Sequence, residues 1–198
     1  MNYLLHLLFS ANEADQYVGN LIGDFVKGPL TARPEFSPGV LQGLRHHRDI
    51  DSHAQQHPVF RGSCARLAPA FGRYRGILID LFYDHFAACH WSHFHPQPLE
   101  TFASDVYGLL QQRSDLPDAF AALLPRMIHR NWLVSYKEVA TIERALQSVG
   151  QRLRRDNPLD QGIGELKKHY RELEQDSCHF IEDTLSWCAK GRRDEGSH

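Results

Sequence analysis

The segment from 74 to 91 constrains the fold of this chain of 198 residues more than any other. It contains the run ILIDLFYDHF, in which apolar residues cover nearly every side of a helix. A helix this apolar has to lie in the interior of a protein. The alternation of apolar and polar residues that indicates strands is nearly absent from the chain. The sequence therefore predicts an all-α fold, a single-domain helical bundle with this helix at its centre.

Helical periodicity and helix-stop signals divide the rest of the chain. Gly and Pro residues punctuate it without forming a linker, and the length suits one domain. We expect that domain to cover 1–195, with 196–198 as a remnant of an expression vector. The other predicted helices cover 12–27, 38–57, 60–71, 99–112, 118–131, 137–154 and 160–188.

Composition narrows the class of protein. The net charge of −2 excludes bulk affinity for nucleic acid from charge alone. No apolar run approaches the roughly 18 residues that a membrane span needs. The opening MNYLLHLLF has no preceding basic residue and no small-residue cleavage site, so it is a poor signal peptide. The four cysteines form no CxxC pair, which favours free thiols. These features predict a cytoplasmic protein.

Three polar residues interrupt the central predicted helix. Asp80 and Asp84 are four residues apart and share one face, and His85 is one position further on. Ionised carboxylates in apolar surroundings are costly unless they are paired or bind a metal. A divalent cation would remove this cost and the repulsion between the two acids. The alternative is that Arg side chains or helix N-termini satisfy the carboxylates.

The second predicted helix offers His47 and Asp51, again four residues apart. His46 is the alternative if the helical phase differs, and a surface helix of mixed charge is the competing interpretation. Histidine is concentrated in one part of the chain, since 8 of the 13 histidines lie between His46 and His95. Histidine is the commonest metal ligand, so this density favours a metal site.

The first predicted helix contains Asn20 and Asp24, four residues apart among apolar neighbours. Gly19 and Gly23 lie beside them, although a glycine costs roughly 1 kcal/mol in a helix interior. Two such glycines close together indicate either the close approach of another helix or a need for space near Asp24.

Acids and imidazoles from three facing helices are an established way to build a metal centre in a bundle. Mixed carboxylate and imidazole ligands favour Mn²⁺, Fe²⁺ or Mg²⁺ over a structural zinc site. The segment CHWSHFH offers zinc-type ligands at Cys89, His90, His93 and His95. Its spacing is cramped and no distant second pair closes a loop, so we expect no zinc site there.

Arginine is concentrated between positions 45 and 75. This stretch, called the basic segment below, contains six Arg and two Asp, which gives it a net charge of +4. Because Arg binds phosphate and carboxylate through paired hydrogen bonds, the basic segment predicts a docking face for an anionic partner. Solvated surface charge is the alternative. The arginines are Arg45, Arg48, Arg61, Arg66, Arg73 and Arg75.

Five stretches of the chain resemble the acyl carrier protein phosphodiesterases of Gram-negative bacteria. They are MNYLLHLLFS at 1–10, GNLIGDFVKG at 19–28, HRDID at 47–51, LIDLFYDHFAACHW at 78–91 and W-L-V-x-Y at 132–136. The likeness extends over most of the chain. That family is regarded as a divergent relative of the HD-domain phosphohydrolases, so the resemblance implies a helical, HD-phosphohydrolase-like metal enzyme.

The resemblance also implies a reaction, a cofactor and a partner. The reaction is hydrolysis of the phosphodiester that joins 4′-phosphopantetheine to a serine of holo-acyl carrier protein, which gives the apo carrier and free 4′-phosphopantetheine. The cofactor is Mn²⁺, with Mg²⁺ or Fe²⁺ as alternatives, and the partner is an acidic carrier protein docking on the basic segment. Ordinary HD enzymes have His before Asp, whereas Asp84 precedes His85 here, so the ligand assignments rest on helical phase.

We expect six residues to build the metal centre as ligands or supports of ligands: Asp24, His47, Asp51, Asp80, Asp84 and His85. Asp24 or Asp80 would take the proton from the attacking water. Arg48 would bind the phosphate, and His90 would protonate the departing serine oxygen. Two other functions stay open: an HD-type nucleotide phosphohydrolase acting on a small anion, and a non-catalytic helical module that binds an acidic partner.

Overall fold

The computed structural model describes residues 2–31, 33–153 and 155–195, and all regular structure in these ranges is helical. The all-α prediction is confirmed, while likeness to HD enzymes stays a prediction. The segment 196–198, expected to be a vector remnant, lies outside the described residues. The α-helices are α1 (Tyr3–Phe9), α2 (Ala14–Ile22), α3 (Pro38–Gln56), α4 (Pro58–Arg66), α5 (Arg75–Cys89), α6 (Trp91–Phe94), α7 (Leu99–Gln111), α8 (Asp118–Ala121), α9 (Leu124–His129), α10 (Trp132–Ser135), α11 (Val139–Arg152), α12 (Ile163–Lys168) and α13 (Tyr170–Glu195).

Several helix boundaries differ from the predicted ones. The apolar N-terminal run forms α1, which was not among the predicted helices. The predicted helix 12–27 ends as an α-helix at Ile22 and continues as a 3₁₀-helix over Gly23–Phe25. The predicted helix 118–131 is divided between α8 and α9, and the short helix α10 that follows was not predicted. The predicted helix 160–188 is interrupted at His169. Apart from α1, α6 and α10, which are short helices that the sequence did not predict, the order of the helical segments is as predicted.

The central position predicted for α5 is confirmed. From Leu78 to Ala88 every side chain of α5 is buried except that of Asp80, which is half-buried. This helix contacts α1, α4, α11 and α13, so apolar side chains on all its sides meet other helices. Burial on every side explains why its sequence lacks a polar face.

Two glycines allow α2 and α3 to pack closely. A Cβ atom on Gly19 would lie 2.1 Å from the carbonyl oxygen of Val40, and one on Gly43 would lie 2.5 Å from that of Gln16. Both distances are far shorter than a real Cβ contact, so only glycine fits at these positions. The close packing brings Asn20 of α2 next to His47 of α3.

Other sequence predictions concern covalent and membrane features. Cys64, Cys89, Cys178 and Cys188 are free thiols, as predicted. No described helix is both long and apolar enough to cross a membrane.

Candidate metal centre

Two histidines and one aspartate from α1 and α3 converge at one point. In the part of the chain that the structure describes, His6, His47 and Asp51 are the one group whose metal-type donor atoms all lie within 4.8 Å of one another. Nε2 of His6 is 3.3 Å from Oδ1 of Asp51, and Nε2 of His47 is 3.4 Å from Oδ2 of the same carboxylate. The imidazole rings stack, with centroids 3.8 Å apart. Below, these three residues are called the His–Asp cluster.

Asn20 orients both imidazoles of the His–Asp cluster. Its side-chain nitrogen donates to the carbonyl oxygen of His6 at 2.6 Å and to the hydroxyl of Ser10 at 2.7 Å. The side-chain oxygen of Asn20 therefore faces Nδ1 of His6 at 3.0 Å, and its backbone oxygen faces Nδ1 of His47 at 2.7 Å. Because both oxygens can only accept, both Nδ1 atoms carry the proton. The lone pairs of both Nε2 atoms then point towards Asp51, as metal-ligating imidazoles require.

Burial keeps the two imidazoles neutral. It lowers the pKa of His6 to about 3, against the opposing effect of the Asp51 carboxylate, and it also lowers the pKa of His47. Nε2 of His6 makes no hydrogen bond within the described residues, although Asp51 lies nearby. A buried ring nitrogen without a hydrogen bond is uncommon because it has lost its contact with water. A divalent cation bound between the imidazoles and the carboxylate would satisfy it, so the donor set fits the metal that the sequence predicts.

A cavity of about 630 Å³ adjoins the His–Asp cluster and is lined by three carboxylates. Asp51 reaches it from the cluster, and Asp24 and Asp80 come from the segment after α2 and from α5. Oδ1 of Asp24 lies 3.9 Å from Nε2 of His47. Burial raises the pKa of Asp80. Arg73 and Arg152 line the same cavity. A ligand in this cavity would therefore meet both carboxylate and arginine side chains.

Gly23 provides the space that the ring of His47 occupies. A Cβ atom at Gly23 would lie 2.2 Å from Cγ of His47 and 2.5 Å from Nδ1. Glycine at this position follows α2 directly and begins the 3₁₀-turn that carries Asp24. Glycine is thus required at the two positions for different reasons. Gly19 allows close helix packing, and Gly23 leaves room for an imidazole.

Asp84 does not join the His–Asp cluster. Its Oδ2 accepts hydrogen bonds from the backbone amide of Leu4 at 2.9 Å and from the side chain of Asn2 at 2.8 Å, and its Oδ1 accepts from the amide of Leu5 at 3.0 Å. Burial raises the pKa of Asp84 to about 7, while the two amides lower it. The carboxylate therefore satisfies the first turn of α1, which is the alternative to metal binding that the sequence left open.

His85 also lies apart from the His–Asp cluster. Its Nδ1 faces the carbonyl oxygen of Tyr136 at 2.8 Å, and its Nε2 lies 2.9 Å from the hydroxyl of Tyr170. Both ring nitrogens thus have partners, one directly after α10 and one at the start of α13, so His85 does not lie where the helical-phase argument placed it. Of the two adjacent histidines, His47 lies in the His–Asp cluster, whereas Nε2 of His46 faces the carbonyl oxygen of Phe9.

Arg48 and His90 are not positioned for the roles that the sequence analysis gave them. Nη2 of Arg48 donates to the carbonyl oxygens of Val26 and Gly28, at 3.2 Å and 2.7 Å, so it fastens the loop after Asp24. Nε2 of His90 pairs with Glu174 at 2.8 Å. Neither residue lines the cavity of the carboxylates. Phosphate binding by Arg48 and protonation of a leaving group by His90 therefore have no geometric support.

Three contributors were missing from the sequence analysis. His6 is a single polar residue inside the apolar run MNYLLHLLF, and the reasoning applied to Asp80 in α5 would have found it. Asn20 stands out by its spacing from Asp24, but the sequence alone predicts no role for it. Arg152 comes from a segment in which the sequence pattern offers no chemical signal, so only the fold reveals that it reaches the cavity.

The fold and the cluster define a class, that of all-helical proteins with a buried imidazole and carboxylate centre beside an acid-lined cavity. The sequence profile described as "Acyl carrier protein phosphodiesterase" matches residues 1–184. The chain belongs to this family, as the motifs in the sequence predict. It is a phosphodiester hydrolase by that membership.

Relatives of the same name match nearly the whole chain. An acyl carrier protein phosphodiesterase from Salmonella agona (strain SL483) is 30% identical over 195 residues, covering 96% of this chain and 98% of the relative. Those from Salmonella heidelberg (strain SL476) and Salmonella schwarzengrund (strain CVM19633) are each 31% identical over 202 residues, with the same coverage. No solved structure matches the chain significantly.

Proposed function

We propose that the protein hydrolyses the phosphodiester between 4′-phosphopantetheine and a serine of holo-acyl carrier protein, using a divalent cation, Mn²⁺, at the His–Asp cluster. Family membership over residues 1–184 and the name of the relatives support the substrate. The observation that carries the metal dependence is the orientation of two neutral imidazoles towards one carboxylate by Asn20.

Four side chains would hold the cation: His6 and His47 through Nε2, and Asp51 and Asp24 through carboxylate oxygens. A bound divalent cation lowers the pKa of water and neutralises charge on phosphoryl oxygens. The chain contributes fixed tautomers, because Asn20 accepts from both Nδ1 atoms. It also excludes water from the imidazoles, since His6 and His47 are buried.

Asp80 accepts the proton of the attacking water in this proposal. It lines the same cavity as Asp24 and Asp51, and burial raises its pKa, which makes its carboxylate a stronger base than an exposed one. Arg73 and Arg152 bind the non-bridging oxygens of the phosphodiester in place of Arg48, because both line the cavity.

The acidic carrier protein docks on the basic segment. Arg45 and Arg61 support this because both are exposed. Arg66 contributes less, since it pairs with Asp176 at 3.1 Å, and Arg75 donates to the carbonyl oxygen of Ala68. Electrostatic docking predicts a KM that rises with salt concentration. A KM that stays constant between low and high salt would refute this part of the proposal.

The direct test is mass spectrometry of holo-acyl carrier protein after incubation with the enzyme and Mn²⁺. We expect the carrier to lose the mass of the prosthetic group, and nucleotides to remain intact under the same conditions. Asp80→Asn should abolish turnover while Mn²⁺ still binds, whereas Asp24→Asn should weaken Mn²⁺ binding. Asp49→Asn is the matched control, because Asp49 is exposed on the same helix as Asp51. An unchanged carrier mass with wild-type enzyme would refute the proposed function.

A further inference from the structure

A second cavity adjoins the one that contains the carboxylates. Its volume is about 530 Å³, which lies in the range of roughly 300–1,000 Å³ typical of small-molecule sites. The two cavities share five residues in their walls and therefore adjoin one another: Asn2, Tyr3, Leu81, Val149 and Arg152. Arg152 therefore marks the junction of the cavities.

The lining of the second cavity is amphipathic. Trp132, Tyr136 and Ala145 add apolar surface, and Ser135 and Ser148 add hydroxyl groups. No carboxylate is among the described residues that line it. This part of the lining suits a neutral chain with both apolar and amide groups.

Arginines surround this apolar interior. Arg126, Arg130 and Arg144 line the cavity together with Arg152, and all four are exposed. None of them forms an ion pair with a carboxylate in the described parts of the chain. The guanidinium of Arg126 lies 5.5 Å from the centroid of the Trp132 ring, which holds its charge against the cavity wall. Four arginines that have no acidic partner among the described residues attract a ligand that carries negative charge.

We propose that the second cavity binds the pantetheine arm of the substrate, with the phosphate at the junction beside Arg152. This inference rests on the proposed function. If the phosphodiester is cleaved in the first cavity, the pantetheine arm attached to it has to extend out of that cavity. The arm is neutral and has two amides, a branched apolar part and a thiol, so it matches the amphipathic lining. Its phosphate end carries the negative charge that the arginines attract.

Calorimetric titration with 4′-phosphopantetheine and with pantetheine tests the site without turnover. Ser148→Phe should fill the cavity and weaken both ligands at least about tenfold, and Ala145→Leu narrows it from the same helix if Ser148→Phe does not fold. Arg152→Gln should weaken 4′-phosphopantetheine about tenfold and leave pantetheine unchanged. Arg171→Gln, an exposed position outside both cavities, is the control and should bind like wild type.

Turnover then separates this inference from the proposed function. Ser148→Phe should raise the KM for holo-acyl carrier protein and leave the affinity for Mn²⁺ unchanged. If wild type releases the prosthetic group and the folded Ser148→Phe variant binds 4′-phosphopantetheine normally, the arm site is refuted and the function stands. If wild type does not release the prosthetic group but binds 4′-phosphopantetheine, and Ser148→Phe abolishes that binding, the function is refuted and the site stands. If wild type binds neither 4′-phosphopantetheine nor pantetheine, the arm site is refuted.

Discussion

Replacing Gly23 with alanine should displace the ring of His47, because the new methyl group meets that ring. The added Cβ would lie 2.2 Å from Cγ of His47, whereas carbon atoms in contact are about 3.5–4.0 Å apart. The ring would have to move by more than about 1 Å, and binding sites tolerate displacements of about 0.5 Å. It cannot move freely, since the ring of His6 stacks on it at 3.8 Å.

We therefore expect Gly23→Ala to break the contact between Nδ1 of His47 and the oxygen of Asn20, which measures 2.7 Å. Loss of such a supporting contact lowers metal affinity by about 10–100-fold. Crowding of the buried ring should also lower the free energy of unfolding by about 1–3 kcal/mol. Mn²⁺ titration calorimetry measures the first effect and urea unfolding the second.

Gly62→Ala is the matched control. Gly62 lies in α4, and a Cβ atom there would meet no atom within 4 Å. Alanine is the better helix former by about 1 kcal/mol, so this variant should unfold at higher urea and bind Mn²⁺ like wild type. A folded Gly23→Ala variant that binds Mn²⁺ as tightly as wild type would refute the assignment of His47 as a ligand.

Three further predictions concern residues around the His–Asp cluster. Asn20→Ala should free the tautomer of His6 and lower Mn²⁺ affinity about tenfold by calorimetry, whereas unchanged affinity would contradict the orienting role. Asp84→Ala should leave the amides of Leu4 and Leu5 without acceptors and lower the free energy of unfolding in urea by about 3 kcal/mol. The Mn²⁺ affinity of the folded variant should not change. Weakened Mn²⁺ binding would show that Asp84 belongs to the metal centre. Burial lowers the pKa of His6 from 6.5 to about 3, so the folded chain binds fewer protons than the unfolded chain in that window and stability falls as pH drops through it. His6→Gln should remove about 1.4 kcal/mol per pH unit of this dependence in urea unfolding at several pH values, and an identical slope in both proteins would refute it.

The sequence predicts the fold class here because one segment, α5, has no polar face. Burial on all sides follows from its composition alone, and the structure agrees from Leu78 to Ala88 apart from Asp80. The type of each helical turn is less accessible. The α-helix gives way to a 3₁₀-helix at Gly23, where the ring of His47 from another helix packs, and local periodicity does not register such a contact.

The polar residues of α5 illustrate what sequence spacing cannot decide. Asp80 and Asp84 share a face, yet Asp80 lines the acid-lined cavity and Asp84 binds the amides at the start of α1. Helical phase gives the direction of a side chain but not the element that it meets about one turn further along. The sequence does not indicate the role of His6 for a related reason. The apolar N-terminal run that contains it resembles part of a targeting signal, and its spacing does not show that it forms a helix of the metal centre.

Pulsed electron paramagnetic resonance of the Mn²⁺-loaded enzyme tests the central claim most directly, because it detects nitrogen atoms bonded to the metal. We predict couplings from two imidazole nitrogens in wild type, and from one in each of the variants His6→Gln and His47→Gln. Hydrolysis of holo-acyl carrier protein by Mn²⁺-loaded enzyme that has no nitrogen coupling would contradict the assignment of the His–Asp cluster as the metal centre.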